Sequence, residues 1–238
     1  FGEYSSAATM NLFGLTHRVS ANVAPLNHDS MGYVFFTRPR LNLSYDNLAS
    51  VRMFSTLMNP DNRSLPRAIR ATLDPVGARR DDEKSSKSLL IDDENIFIPM
   101  LSNNLLTLNG WPDPVVDTFT SKQGVYREEF SIVDGFARNF STFELSATFR
   151  NIVDDPISKL FHFWTQYMAY VHEGVFTPYP EAIMDNEVDY DTRIYRVLLN
   201  SQRTHVTEIA AIGAGFPTIN NLGQRFNFDV DRPLNIEN

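Results

Sequence analysis

The chain has 238 residues, 42% hydrophobic and 21% charged, with 18 Phe, 9 Tyr and a formal net charge of −8 at pH 7. That length and aromatic content suit one large or two small domains with a substantial core, and argue against disorder. The absence of Cys excludes a disulfide framework, Cys-ligated zinc, iron–sulfur clusters and a thiol nucleophile, and the acidic balance excludes an overall positive field for gripping nucleic acid.

No apolar run approaches the span of a bilayer, so helical membrane insertion is not expected. The sequence opens at Phe1, which leaves a processed leader open. Residues 1–30 have weak periodicity and many small polar residues. They read as an extended N-terminal arm, with at most a short strand near 20–26, either disordered or laid on a partner. A single domain is expected over 31–238.

Tyr33 to Thr37 is aromatic and β-branched and is followed by Pro39, which predicts a short strand. Leu48, Val51, Phe54 (or Met53), Leu57 and Met58 fall at helical spacing, so a helix is expected over 47–58 with Asp46 or Asn47 as N-cap. A second helix is expected over 66–71, with Pro66 in its first turn. Residues 74–88 are the most polar stretch and read as a solvated, mobile loop. The functional reading of the same loop is a segment that orders against a neighbouring subunit. Its candidate inter-subunit residues are Arg79, Arg80, Asp81, Asp82, Glu83, Lys84 and Lys87. Residues 89–98 and 105–108 are apolar pieces without an assigned structure, and Trp111-Pro-Asp-Pro is a punctuation point.

Beyond it the pattern turns to strands. Residues 115–120 and 125–133 read as a hairpin with its loop near 121–124. Over 140–150, Phe143, Leu145, Ala147 and Phe149 fall on one face and polar residues on the other, as in a half-buried antiparallel strand. Asp154-Asp155-Pro156 is a helix start, and Gly174 can cap the end of a helix running to about Val171. Leu160, Phe161, Trp164 and Met168 are its candidate core residues, in line with Ile157 and Val171, and Phe163, Tyr167 and Tyr170 widen that face. An irregular acidic connector fills 174–191. Strands are then expected over 193–199, 206–212 and 225–230, with a bulge at Gly213 and Gly215.

Chemistry is sparse. The five histidines, His17, His28, His162, His172 and His205, do not form a helical zinc motif. His162 reads as a surface or boundary residue and His205 as a solvent-facing one at a strand start. Asp185, Glu187, Asp189 and Asp191 alternate and could offer oxygen ligands to Ca²⁺. They lack the central Gly and final Glu of a calcium loop, so a solvated acidic loop is favoured. Neither a Gly-x-Ser-x-Gly elbow nor a phosphate-cradling loop occurs. No catalytic, cofactor or metal site is expected. Arg38, Arg40, Arg52, Arg63, Arg67 and Arg70 make the 38–70 region locally basic, and the overall acidity favours protein contact over DNA gripping there.

The C-terminal half carries a resemblance. A strand, a capped aromatic helix and an antiparallel hairpin lead to Gly-Ala-Gly-Phe-Pro-Thr-Ile at 213–219 and Gln-Arg-Phe-Asn-Phe-Asp-Val at 224–230. This resembles the tail-tube fold of contractile-tailed bacteriophages and related injection machines. The phrase Tyr-Val-Phe-Phe-Thr-Arg-Pro-Arg-Leu-Asn-Leu at 33–43 is similar to openings of virion structural proteins of large phages. The resemblance implies an α+β, β-dominated fold, an antiparallel sandwich or barrel with one long amphipathic helix. It also implies a non-enzymatic tube, tube-initiator or baseplate subunit in the virion tail, assembled in the host cytoplasm. Its partners would be copies of itself in a sixfold ring, neighbouring tail or baseplate proteins, and phage DNA that passes without specific binding. An acidic lumen would let DNA slide because it repels phosphates. The rival readings are a non-assembling ligand-binding β-domain, a tail-end structural protein outside the tube, and a cell-wall hydrolase. The last would need clustered titratable groups that the sequence does not assemble.

Overall fold

The computed structural model describes residues 31–220 apart from 81, 83, 113–115, 135–141, 151 and 201. The strands expected near 20–26 and over 225–230, the N-terminal arm, His17 and His28 lie outside the described residues. The fold is α+β with antiparallel sheets and one long helix. Among the described residues the sheets stay separate and do not close into a barrel. The main sheet has the order β1-β6-β7, formed by β1 (Met31–Phe36), β6 (Thr192–Leu199) and β7 (Val206–Gly215). Two strand pairs stand apart: β2 (Leu105–Asn109) with β5 (Ser146–Phe149), and β3 (Thr118–Thr120) with β4 (Ser131–Val133).

Between β1 and β2 the described regular elements are helices. α1 (Tyr45–Ser50) and a 3₁₀ helix (Arg52–Met58) replace the single helix expected over 47–58. Val51 causes the break: its φ of −126° and ψ of 117° are extended, a conformation that suits a β-branched residue. Ser44, rather than Asp46 or Asn47, occupies the N-cap position, while the Asn47 amide is buried and donates to the carbonyls of Asn42 and Thr177. α2 (Leu65–Leu73) outruns the expected 66–71 and leads into the short α3 (Pro75–Ala78). Residues 89–98 contribute only an isolated bridge, Phe97 to Thr37, and α4 (Pro99–Asn104) runs straight into β2.

The expected hairpin is present but its strands are short. The pairing covers Thr118–Val133 to Thr120–Ser131, and the chain between them is loop, with Arg127 in the left-handed region at φ 62°. The strand expected over 140–150 is regular only as β5, where Phe149 is buried and Ala147 half-buried. In β7 the partner steps from Thr192↔Gly215 to Ile194↔Ile212, so one extra residue is accommodated at 213–214, the site of the expected bulge.

The core sits around α5 (Pro156–His172). Ile157, Leu160, Trp164 and Tyr167 are all buried and recur at helical spacing on one stripe. Phe161 and Met168 are half-buried and pack against the same core. Gly174, at φ 75°, takes the left-handed conformation that ends the helix without a Cβ penalty. Phe54 from the 3₁₀ helix meets Phe163, Tyr170 and Phe176 at ring-centroid distances of 5.4, 5.9 and 5.0 Å, which locks the helical layer onto α5. The connector 174–191 is more ordered than its composition suggests. It contains α6 (Pro180–Met184), and Asp189 is buried.

Trp164 is 1% exposed and donates its indole N–H to the Tyr190 carbonyl at 3.0 Å, tying α5 to the strand that follows. Trp164→Ala is therefore expected to cost about 3–5 kcal/mol, read as a lowered midpoint in urea unfolding. In a Trp111→Phe background, the remaining fluorescence should be blue-shifted and poorly quenched by iodide in the folded protein.

Candidate assembly surfaces

Two surfaces stand out, a basic groove and an uncovered hairpin. The groove is built on the loop 74–88, and its foundation is a buried carboxylate. Asp74 is fully buried at the junction of α2 and α3. Its side chain accepts the Gly77 N–H at 2.7 Å and the Tyr179 hydroxyl at 3.0 and 3.2 Å. Its carbonyl accepts the Ser86 hydroxyl at 3.2 Å. A Cβ on Gly77 would stand 2.8 Å from the Asp74 carboxyl carbon and 2.9 Å from Ser86 Oγ, so only glycine fits this turn. Burial raises the carboxyl's pKa against the lowering effect of those hydrogen bonds, and burial together with Asp74 raises that of the Tyr179 hydroxyl.

The far side of the loop is held by arginines. Arg67 donates Nε to the Lys87 carbonyl at 3.0 Å and Nη2 to the Ser85 carbonyl. Arg70 donates Nε to the Leu43 carbonyl at 3.0 Å and Nη2 to the Lys84 carbonyl at 3.2 Å. Arg38 donates Nη2 to the Ala71 carbonyl at 2.5 Å, Nε to the Thr72 carbonyl at 3.1 Å and Nη1 to the Asn95 carbonyl at 3.0 Å. All three guanidiniums are buried, and burial lowers their pKa values, that of Arg70 to about 10 with Arg67 as the next cause.

These bonds correct two expectations. Arg38, Arg67 and Arg70 do not face a partner as a basic surface; they satisfy backbone carbonyls inside the fold, whereas Arg40, Arg52 and Arg63 remain exposed. The loop 74–88 is not simply solvated either. Gly77, Ala78, Ser85, Ser86 and Ser88 are buried, while the side chains of Arg79, Arg80, Asp82, Lys84 and Lys87 point outward. Asp81 and Glu83 lie outside the described residues. The loop is thus internal by its backbone and external by its charges.

The resulting groove has a volume of about 610 Å³. Its walls bring together Arg67, Arg70, Arg80, Lys84 and Lys87 with Asp82 as the described acid, and Tyr45, Met58 and Pro60 form an apolar rim. Lys84 lies over the Tyr45 ring at 5.2 Å and Arg80 over the Tyr179 ring at 5.3 Å, which aims both cations. Sequence reasoning found Arg80, Lys84 and Lys87 but not the Tyr45–Pro60 wall, which comes from a distant stretch of chain.

The hairpin β3–β4 is the second surface. Phe119, Ile132 and Val133 are 54–66% exposed, Phe130 is 68% and Tyr126 90% exposed. Within the described residues the strands β3 and β4 pack chiefly on each other. Its turn is closed by its own bonds, Gly124 N–H to the Glu128 carbonyl and Arg127 N–H to the Gly124 carbonyl, each 3.0 Å.

The remaining candidates do not converge on chemistry. Glu187 bonds Arg40 at 3.3 Å, Asp189 turns inward to Tyr167, Asp185 stays exposed and Asp191 is half-buried near Asp189, so the four alternating carboxylates do not gather at one site. Among the described residues no group of three His, Asp or Glu could hold a metal ion. His162 is half-buried against Phe163, His172 is exposed, and His205 lies in the β6–β7 turn against Thr204. No described helix is long and apolar enough to cross a membrane.

Over residues 1–238 the chain matches the family described as "Putative phage tail tube protein". Neither a curated protein nor a solved structure matches it.

The buried carboxyls set a pH dependence. Asp74 and Asp189 both have raised pKa values through burial. Between the unfolded value, about 3.9, and the raised folded value, the folded protein holds more protons than the unfolded chain. Their stabilising contribution is full below the unfolded value and is lost as pH rises through the folded one. Acidification through the raised folded values toward the unfolded one should therefore favour the folded state through these groups. Thermal melts of Asp74→Asn and Asp189→Asn should show a smaller pH slope than the parent across that window.

Proposed function

The chain belongs to the phage tail tube family, and we propose that it works as a ring-forming subunit at the tube or baseplate end of a contractile tail, lining part of the DNA conduit. Family membership makes it a structural protein of the virion tail. The observation that carries the finer reading is the β3–β4 hairpin. A two-stranded hairpin is marginal in water by itself, and this one presents Phe119, Tyr126, Phe130 and Ile132 to solvent. An apolar element of this kind is stabilised when a neighbouring subunit covers it.

Charge supports the same reading. The net charge of −8 suits a passage that repels phosphates, so that DNA moves through without being gripped. A head-to-tail interface that closes on itself gives a ring, and the resemblance in sequence points to six copies. The exposed charges of Arg79, Arg80, Asp82, Lys84 and Lys87 are proposed to face such a neighbour. Assembly would take place in the host cytoplasm, next to other tail or baseplate proteins.

The test is assembly itself. Light scattering and negative-stain imaging of the purified chain should show rings or tubes at raised concentration. A monomer at every concentration, above all one with a small molecule bound, would overturn the proposal. Phe119→Ser with Ile132→Ser alters only exposed side chains. It should change stability by no more than about 0.5 kcal/mol per site in urea unfolding, yet abolish the rings.

A further inference from the structure

The main sheet ends on one side at β1, and part of that edge has no described partner. The Thr37 N–H donates to the Arg193 carbonyl at 3.0 Å, and the register sets Phe35 opposite Tyr195 and Tyr33 opposite Val197. Backbone groups alternate sides along an antiparallel strand, so Met31, Tyr33 and Phe35 turn theirs to β6, while Gly32, Val34 and Phe36 turn theirs to the edge. Residues 96–98 cover the far end of that edge: the Ile98 N–H donates to the Phe36 carbonyl and the Arg38 N–H to the Ile96 carbonyl, each at 2.9 Å. Among the described residues nothing pairs with the edge-facing backbone of Gly32 or Val34. An open edge is normally blunted by charge, Pro or a bulge. β7, the opposite edge, has Glu208 and its bulge, whereas β1 reads Met-Gly-Tyr-Val-Phe-Phe and has none of these. The sheet face turned away from the core is apolar beside it, with Phe35 5.3 Å from Phe97 and Phe97 6.2 Å from Tyr195.

We propose that residues 22–24 of the same chain pair antiparallel with Gly32–Val34 and close this edge. The segment lies directly before β1, within the strand expected near 20–26. Asn27-His28-Asp29 has the length of a hairpin loop and two turn-forming residues. A loop over those residues sets Ala24 opposite Gly32 and Asn22 opposite Val34, the two positions with open backbone groups. Val23 then lies opposite Tyr33, and Pro25 lies opposite Met31 with its missing donor turned to solvent. A register shifted by one residue would set Pro25 opposite Gly32, whose carbonyl needs a donor, so Pro25 selects the first register. Pairing ends near Asn22, because Ser20 would meet Phe36, whose carbonyl is already taken by Ile98. Closing so short a loop costs little entropy, an advantage that neither a second copy nor a distant segment has. The segment acts as a guard: it stops sheet growth through β1 and leaves contact between copies to other surfaces. This role is independent of the assembly reading above.

The test uses cross-linking and amide exchange in the full chain. The chain has no Cys, so Val23→Cys with Tyr33→Cys should oxidise in dilute solution to an intramolecular disulfide, seen as a compact monomer on a non-reducing gel. Ala24→Cys with Tyr33→Cys tests the shifted register and should link on the order of tenfold more slowly. Faster linking of the second pair, or disulfide dimers in place of the compact monomer, would overturn the proposal; dimers would assign the edge to a second copy. Hydrogen exchange supplies a readout without new thiols. The Gly32 and Val34 amides should be protected in the parent chain. Asn22→Pro with Ala24→Pro removes both donors, and should speed exchange of those two amides on the order of tenfold or more while the amides of α5 stay protected. Equally fast exchange in parent and variant would show an open edge, and equally slow exchange would show a different cover. Either result overturns the guard role and leaves the assembly reading standing.

Discussion

A stretch of chain without a strand partner runs through the middle of this fold, and its backbone polar groups must still be satisfied. After β1 the chain enters 38–43, where Leu41 and Leu43 are fully buried. Several backbone groups there find partners from far along the sequence. The Arg40 N–H donates to the Asp189 carbonyl at 2.8 Å and the Leu41 N–H to the Leu73 carbonyl at 3.1 Å. The Asn42 N–H donates to the Tyr167 hydroxyl at 3.1 Å, and that hydroxyl donates onward to Asp189 at 2.5 Å. The Asn42 carbonyl accepts from Asn47, and the Leu43 carbonyl from Arg70. α2, α5 and the connector before β6 are therefore positioned by one extended segment, and leaving any of these groups unpaired would cost about 1–3 kcal/mol.

The same constraint explains why so many charged groups lie inside. A buried guanidinium is tolerated when its N–H groups meet carbonyls, and the planar fork of Arg can bond several at once. Arg38 closes the C-terminal end of α2, where carbonyls lack helical partners, through Ala71 and Thr72. Arg67 and Arg70 do the same work for the loop 74–88. Asp74 supplies the opposite polarity at the same place, accepting N–H and O–H groups that the arginines cannot. The groove is a by-product of this internal order: its cations are fixed because the backbone beneath them is fixed.

The regular elements were legible where local pattern and tertiary environment agree. Tyr33 to Thr37 is aromatic and β-branched and is stopped by Pro39; Asp154-Asp155-Pro156 and Gly174 bracket α5; Gly213 and Gly215 mark the register change in β7. The break at Val51 was not legible, because Leu48, Phe54 and Leu57 keep a helical rhythm through it. The polar interior was read wrongly for a physical reason. Charge in a sequence normally signals solvent, and nothing local tells an Arg that bonds carbonyls from one that faces water. The spacing of Arg67 and Arg70, three apart among Ala68, Ile69, Ala71 and Leu73, was the available signal, since a face so apolar in a short helix leaves its charged residues little room outside. Asp189 was hidden in the same way among the exposed Asp185 and Glu187. Of the groove, the loop cations were visible in sequence; its opposite wall, Tyr45 to Pro60, depends on how α1 and the 3₁₀ helix fold back.

An assembling subunit faces a conflict between adhesive surface and solubility, and this chain divides the two physically. The body bonds most of its buried polar groups internally and buries Phe54, Trp164, Tyr167 and Phe176 around α5. Exposed apolar side chains occur at several places, and β3–β4 with its turn gathers Phe119, Tyr126, Phe130, Ile132 and Val133 in one short element. Carboxylates at Asp117, Glu128, Glu129 and Asp134 flank its aromatics. Charged flanks of this kind oppose indiscriminate pairing of an exposed strand edge. The hairpin thus sets exposed apolar side chains between charged ones on a short edge, while the core aromatics stay around α5.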